Sequence, residues 1–124
     1  HREIRSALPA VIVKIKKLNV EVVVAVNPRP PVDDIARLPI DALMVMGVEP
    51  GASGQAFLGA PILSKLKRAQ VLYPGLKLSI DGGVSQQNIG DILAAGATRC
   101  VATSALWKAE NSAEAYTELV SRTS

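Results

Sequence analysis

The chain is 124 residues long, 48% hydrophobic and 20% charged, a balance that excludes disordered and fibrous classes and allows a buried core. Its 14 basic and 11 acidic residues give a net charge of +3 and only 3% of residues are aromatic, so neither a basic footprint nor a stacking platform for nucleic acid is expected. No apolar run reaches the roughly 20 residues that span a bilayer, the start His1-Arg2-Glu3-Ile4-Arg5 has no apolar signal region behind its charges, and a lone Cys100 excludes an internal disulfide; a cytoplasmic, reducing setting with Cys100 as a small buried hydrophobe is the expectation.

Taken in chain order, the first predicted element is a helix. Pro9 suits its first turn, Val11, Ile12, Ile15 and Leu18 fall on one face, and Asn19 is placed to end it. Val20-Glu21-Val22-Val23-Val24-Ala25-Val26 is nearly all β-branched and reads as a strand buried on both faces, stopped by Asn27-Pro28-Arg29-Pro30-Pro31, whose prolines cannot join a ladder. A short helix is predicted over Pro31 to Leu38 with Val32 and Ile35 inward, then a second strand over Ala42-Leu43-Met44-Val45-Met46. Pro61 to Tyr73 carries Ile62, Leu63, Leu66 and Leu72 at helical spacing and stops at Pro74-Gly75. Leu76 to Ile80 is the third strand, Ser85 is placed to cap a helix holding Ile89, Ile92 and Leu93 up to Gly96, and Arg99 to Thr103 is the fourth strand. Ser112 is placed to cap a last helix with Ala113, Tyr116, Leu119 and Val120 on one stripe. Helices and strands alternate without a linker, so the fold class is α/β, a (βα)-repeat parallel sheet, with residues 1–124 expected to form a single unit. Periodicity alone leaves both an open doubly wound sheet and part of a closed barrel available.

In such sheets ligands bind beyond the carboxyl ends of the strands. Those positions here are Gly47-Val48-Glu49-Pro50-Gly51-Ala52-Ser53-Gly54-Gln55, Asp81-Gly82-Gly83-Val84-Ser85 and Thr103-Ser104. Glycines let backbone N–H groups approach a ligand, and helix N-termini behind them add partial positive charge, a combination suited to phosphate. The same glycines also serve tight βα turns, and both readings stand. Asp81, the acid placed directly after a buried strand, is suited to ligate a metal or to move a proton on a carbon next to a carbonyl; Asp-Gly is equally a common turn pair.

The segment Val45-Met46-Gly47-Val48-Glu49-Pro50-Gly51-Ala52-Ser53-Gly54-Gln55-Ala56-Phe57 resembles the strand-six loop of the ribulose-phosphate 3-epimerase family, with its Glu-Pro-Gly-x-x-Gly-Gln-x-Phe pattern intact. Val26-Asn27-Pro28 is similar to that family's strand-five ending, Ile80-Asp81-Gly82-Gly83-Val84 to its strand-seven ending, and Val101-Ala102-Thr103-Ser104-Ala105-Leu106 to its strand-eight ending. His1-Arg2-Glu3 resembles the His-x-Glu that closes strand four. The resemblance implies the C-terminal half of a TIM (βα)8 barrel, strands five to eight with their helices.

It also implies a metal-assisted 1,1-proton transfer at C3 of a ketose 5-phosphate through an enediolate, with a divalent ion (zinc, iron, manganese or magnesium) holding the enediolate oxygens. Asp81 matches the carboxylate that both binds the metal and acts as one acid/base group. Met46 matches a methionine packed against the intermediate, although ordinary core packing explains it as well. Gly51, Gly54, Gly82, Gly83 and Ser104 match positions of the phosphate cup. The same cup departs from the family pattern where Ala52 and Ser53 replace an aromatic-glycine pair, Gly47 a small hydroxyl residue, and Thr103 a glycine; the Thr103 side chain either crowds a phosphate or contacts it.

The family's second acid/base aspartate and metal-binding histidines come from strands two and three, outside this chain. The isolated chain is therefore not expected to epimerise, and a complementing barrel half or a second copy is the expected partner, beside the sugar phosphate itself. A noncatalytic phosphate-binding half-barrel, or a sugar-phosphate decarboxylase-type barrel with a similar Asp-Gly-Gly loop, is the alternative.

Overall fold

A computed structural model describes residues 7–35, 38–52 and 54–123; His1-Arg2-Glu3 and Ser53 lie outside them. Helix α1 (Leu8–Lys16) has Pro9 in its first turn, where a missing N–H is no loss. The chain turns out of it through Asn19, at φ 59° the one non-glycine residue with positive φ among the described residues. Strands β1 (Val23–Val26), β2 (Ala42–Met46), β3 (Lys77–Asp81) and β4 (Arg99–Val101) form one four-stranded sheet in the order β1-β2-β3-β4. All three pairings are parallel. Helix α2 (Ala60–Leu72) crosses from β2 to β3, α3 (Ile89–Ala94) from β3 to β4, and α4 (Ser104–Trp107) and α5 (Ser112–Ser121) follow β4. Sequential parallel strands with helical crossovers are the repeat of half a TIM barrel.

The register sorts the two faces of the sheet. Val24, Leu43 and Leu78 lie side by side across the strands, as do Val26, Val45, Ile80 and Cys100. This face meets Ile62, Leu66 and Ala69 of α2, Ile89 and Ile92 of α3, and Leu119 of α5 in the main core. Each large aliphatic side chain removed from water there contributes about 1.5–3 kcal/mol. A smaller cluster of Leu8, Ile12, Val22 and Val24 fixes α1 to the sheet. Cys100, at the β4 edge, is half-buried, and that burial pushes its thiol pKa up.

The other face carries Val23, Ala25, Met44, Ser79 and, towards the strand ends, Met46 and Asp81. The first strand was expected to be buried on both faces, but Val23 is 36% exposed and Ala25 only half-buried, because no described residue forms a wall opposite this face. Ser79 is fully buried there, its hydroxyl without a hydrogen-bond partner among the described residues. At the amino ends of the strands, Arg99 of β4 reaches Glu21, just before β1, through two hydrogen bonds of 3.1 and 3.2 Å, and Lys77 of β3 lies 3.6 Å from the same carboxylate. A side-chain contact between the two outer strands of the sheet requires the sheet to be strongly curved.

Several expected elements differ in extent. Among the described residues of the span Pro31 to Leu38, where a helix was predicted, a 3-10 turn forms at Asp33–Ile35. Pro30 and Pro31 remove donors at its start and Pro39 disfavours a helical Leu38, leaving too few residues to propagate; Val32 and Ile35 still point inward. In α1 the buried residues are Leu8 and Ile12, while Val11 is exposed and Leu18 lies beyond the helix in solvent. Ser85 caps no helix: its N–H donates to Asn88 Oδ1 at 2.9 Å, Asn88 Nδ2 donates to the Gly83 carbonyl, and α3 starts only at Ile89. Asn111, not Ser112, caps α5, accepting from the Ala113 and Glu114 N–H groups, while Ser112 Oγ donates to the Leu106 carbonyl. The buried stripe of α5 is Ala115 and Leu119, with Tyr116 and Val120 exposed.

Candidate active site

A cleft of about 430 Å³ opens at the carboxyl ends of β2, β3 and β4, a size suited to a small metabolite. Asp81 ends β3 on its wall, with Met46 beside it on β2 and Val101 on β4 in register. The carboxylate is half-buried and makes no ion pair or hydrogen bond with a described residue. It is therefore available to a ligand in the cleft. Met46 is half-buried and lines the same wall, a placement open to both a ligand contact and ordinary packing.

The loop after β2 leaves at Gly47, whose N–H donates to the Asp81 carbonyl at 2.7 Å, and returns at Leu58, whose N–H donates to the Gly47 carbonyl at 3.0 Å. Between these points Gln55 Nε2 donates to the carbonyls of Glu49 and Ala52, at 2.6 and 3.0 Å, and holds the loop in a tight curl. Glu49 in turn accepts from Arg29 Nε at 2.9 Å, tying this loop to the one after β1. The glutamate and glutamine of the sequence motif are thus spent on the shape of the loop, a role the sequence reading left unassigned. Gly51, Ala52 and Gly54 sit on its exposed lip and line the cleft.

Two kinds of glycine share the cleft. Gly47, Gly82 and Gly83 lie where two loops touch: an added Cβ would stand 2.2 Å from the Gly82 carbonyl oxygen, 2.6 Å from Val48 Cγ2 and 2.6 Å from the Phe57 nitrogen, respectively. These positions need glycine for packing whatever the cleft binds. Gly51, with φ +137°, has nothing within 4 Å, and Gly54 faces the Lys108 ammonium instead of backbone. On the third side stand Thr103, exposed, and Ser104, half-buried, at the start of α4. Thr103 makes no side-chain cap, so its hydroxyl projects beside the cleft without a described partner.

Every described candidate, Met46, Gly51, Ala52, Gly54, Asp81, Gly82, Gly83, Thr103 and Ser104, lines this one cleft, together with Val48, Pro50, Gln55, Val84 and Val101, which the sequence reading did not single out. Behind it, Lys65 Nζ donates to the carbonyls of Asn27 (2.7 Å), Pro28 and Pro30 (2.5 Å) and fixes the loop after β1. The Asn27 Oδ1 atom is buried without a partner among the described residues. No three His, Cys, Asp or Glu side chains gather to hold a metal ion among the described residues. No described helix is long and apolar enough to cross a membrane.

Comparison with known proteins identifies relatives on this same segment. The sequence profile of the Ribulose-phosphate 3 epimerase family matches residues 1–107. The chain is 34% identical over 113 residues to the ribulose-phosphate 3-epimerase of Serratia marcescens, covering 86% of this chain and 53% of that protein. It is 32% identical over 101 residues to the cytoplasmic isoform of ribulose-phosphate 3-epimerase from Oryza sativa subsp. japonica, covering 77% and 44%. The chain thus spans about half the length of the curated relatives it matches. Among solved structures, 3-hexulose-6-phosphate synthase superposes with a TM-score of 0.72 at 22% identity, over 94% of this chain and 56% of that one. The Amycolatopsis orientalis BexX/CysO complex gives a TM-score of 0.61 at 20% identity, over 92% and 49%. At such identities the likeness concerns the fold.

Proposed function

The chain belongs to the ribulose-phosphate 3-epimerase family, and from that premise we propose that its cleft receives a ketose 5-phosphate, with Asp81 moving the proton at C3. The observation that carries this reading is the placement of a carboxylate with no partner among the described residues at the end of β3, in the same cleft as the glycine loops. The phosphate lies against the lip at Gly51, Ala52 and Gly54, the Gly82-Gly83 turn and Thr103-Ser104, and the sugar carbons extend towards Met46 and Asp81.

In the step assigned to this chain, the Asp81 carboxylate takes the C3 proton, the C–H electron pair enters the C2 carbonyl, and an enediolate forms. Return of a proton to the opposite face of C3 inverts that centre and needs a second proton carrier, since one carboxylate reaches one face. Asp81 is one oxygen donor, and a divalent ion held mainly by protein takes about four or more. The described residues therefore do not by themselves fit a metal centre.

Residues 1–124 act in this reading as a single half-barrel unit, working in the cytoplasm and completed by a complementing barrel half or a second copy. Taken alone, the chain offers one carboxylate in its cleft among the described residues, and that observation favours phosphate binding without turnover by the isolated half.

The test is deuterium exchange at C3 of ribulose 5-phosphate in deuterium oxide, followed by NMR in a preparation that turns over. Asp81→Asn is expected to slow exchange by about 10²–10⁴-fold, the usual contribution of a positioned acid/base group. Retention of most of the exchange rate by Asp81→Asn rejects its role.

A further inference from the structure

Lys108 lies outside every motif of the sequence, yet it reaches the lip of the cleft. It is the C-cap residue of α4, and its N–H donates to the Ser104 carbonyl at 3.2 Å, so its backbone is fixed to the turn that carries Thr103 and Ser104. Its side chain crosses to the loop after β2. There the ammonium Nζ lies 2.7 Å, and Cε 3.7 Å, from the point where a Cβ on Gly54 would stand. Gly54, at φ +78°, thus leaves room for a cation at a position that lines the cleft.

Two further facts bear on what this cation does. The Lys108 ammonium forms no ion pair or hydrogen bond with any described residue, whereas Arg29, in the loop after β1, is committed to Glu49 at 2.9 Å. The helices that follow the Gly82-Gly83 turn and Thr103 have only 6 and 4 residues. Their aligned peptide dipoles sum to little, so the partial charge expected from helix N-termini behind the glycine loops is small. A phosphate monoester dianion in this cleft would face backbone N–H groups and hydroxyls with little compensating charge from the fold.

We propose that Lys108 is a phosphate-contacting residue, its ammonium reaching from above Gly54 to the non-bridging oxygens of a bound phosphate monoester. The proposal rests on the phosphate reading of the cleft and adds its source of positive charge. It also makes Lys108 a determinant of ligand class: a phosphorylated sugar gains from the ammonium, and the same sugar without phosphate does not. A lysine suits the position because its point charge on a flexible stem can follow a tetrahedral dianion across an open lip.

The test uses the full 124-residue chain, titrated with inorganic phosphate while the amide resonances of Gly54, Gly82, Gly83 and Ser104 are followed by NMR. Lys108→Met is expected to weaken phosphate binding about tenfold, as when a charge-assisted hydrogen bond is removed. Lys108→Arg, which keeps the charge, is expected to retain most of the affinity, and Lys17→Met, a control at the C-cap of α1, to change nothing. Unperturbed amide resonances elsewhere in each variant exclude misfolding as the cause. If phosphate moves the cleft amides equally in the chain and in Lys108→Met, the role of Lys108 is rejected and the phosphate cleft stands. If phosphate moves none of these amides in the unsubstituted chain, both are rejected.

Discussion

The contact between Gly47 and Gly82 fixes how close the two rim loops can come. A Cβ on Gly47 would stand 2.2 Å from the Gly82 carbonyl oxygen and 3.1 Å from Phe57 Cδ2, and the first of these is backbone, which cannot swing aside. Gly47→Ala is therefore expected to destabilise the chain by about 1–3 kcal/mol, the range for overpacking. Gly90→Ala, within α3 with nothing inside 4 Å, is expected to be neutral or to gain up to about 1 kcal/mol from helix propensity. Urea melts of the two variants compare them, and equal midpoints would mean that the loops separate without cost. The glycines were readable in the sequence as rim positions, but not why each is glycine, because the approach of two loops from different strands leaves no local pattern. Asp81 was readable because it ends an apolar run. Lys108 was not, since only the fold carries its side chain to Gly54.

At the level of elements, β-branched and apolar runs announced all four strands, and prolines with helical spacing announced α1 and α2. The errors about which side chains are buried share a cause: burial is decided by what lies opposite. Tyr116 and Val120 fit a helical stripe, yet the buried residues of α5 are Ala115 and Leu119, and of these Leu119 joins the main core. The four residues of α4 are too few for a periodic signal. Nor could a pattern show that β4 reaches back to the segment before β1 through Arg99 and Glu21. The hydrogen bond from Arg99 holds the Glu21 pKa below its ordinary 4.5, and that from Lys16, followed by the Val22 N–H, holds Asp41 below 3.8. A carboxylate with a depressed folded pKa stabilises the fold above its unfolded value, and this contribution is lost as pH falls through the folded pKa. Thermal midpoints are therefore expected to be flat in this respect near neutrality and to drop below about pH 4.5. Arg99→Gln should flatten part of the drop, and so should high salt, because both pairs are solvent-exposed. Identical pH profiles for the chain and Arg99→Gln would show that the Glu21 contact does not contribute to stability.

The described residues form a sheet with a well-filled convex side and a concave side that no described residue walls off. Val23, Ala25 and Met44 look into the concavity, Ser79 keeps a hydroxyl without a described partner there, and β1 and β4 each have one edge that pairs with no described strand. Unpaired edges beside apolar surface favour addition of further strands. For a second copy the geometry is permissive: rotation by a half-turn about an axis running along the strands places β4 of one chain beside β1 of the other, keeps the strands parallel and closes both edges at once. The 124-residue chain is accordingly expected to associate, with light scattering giving double the mass of one chain at micromolar concentration. Val23→Lys, which sets a charge on the concave face of the β1 edge strand, should shift it towards monomer and lower its thermal midpoint only by what association adds, since Val23 contributes little to the core. A concentration-independent monomer for the unsubstituted chain, or association unaffected by Val23→Lys, would remove the concave face from consideration as the contact.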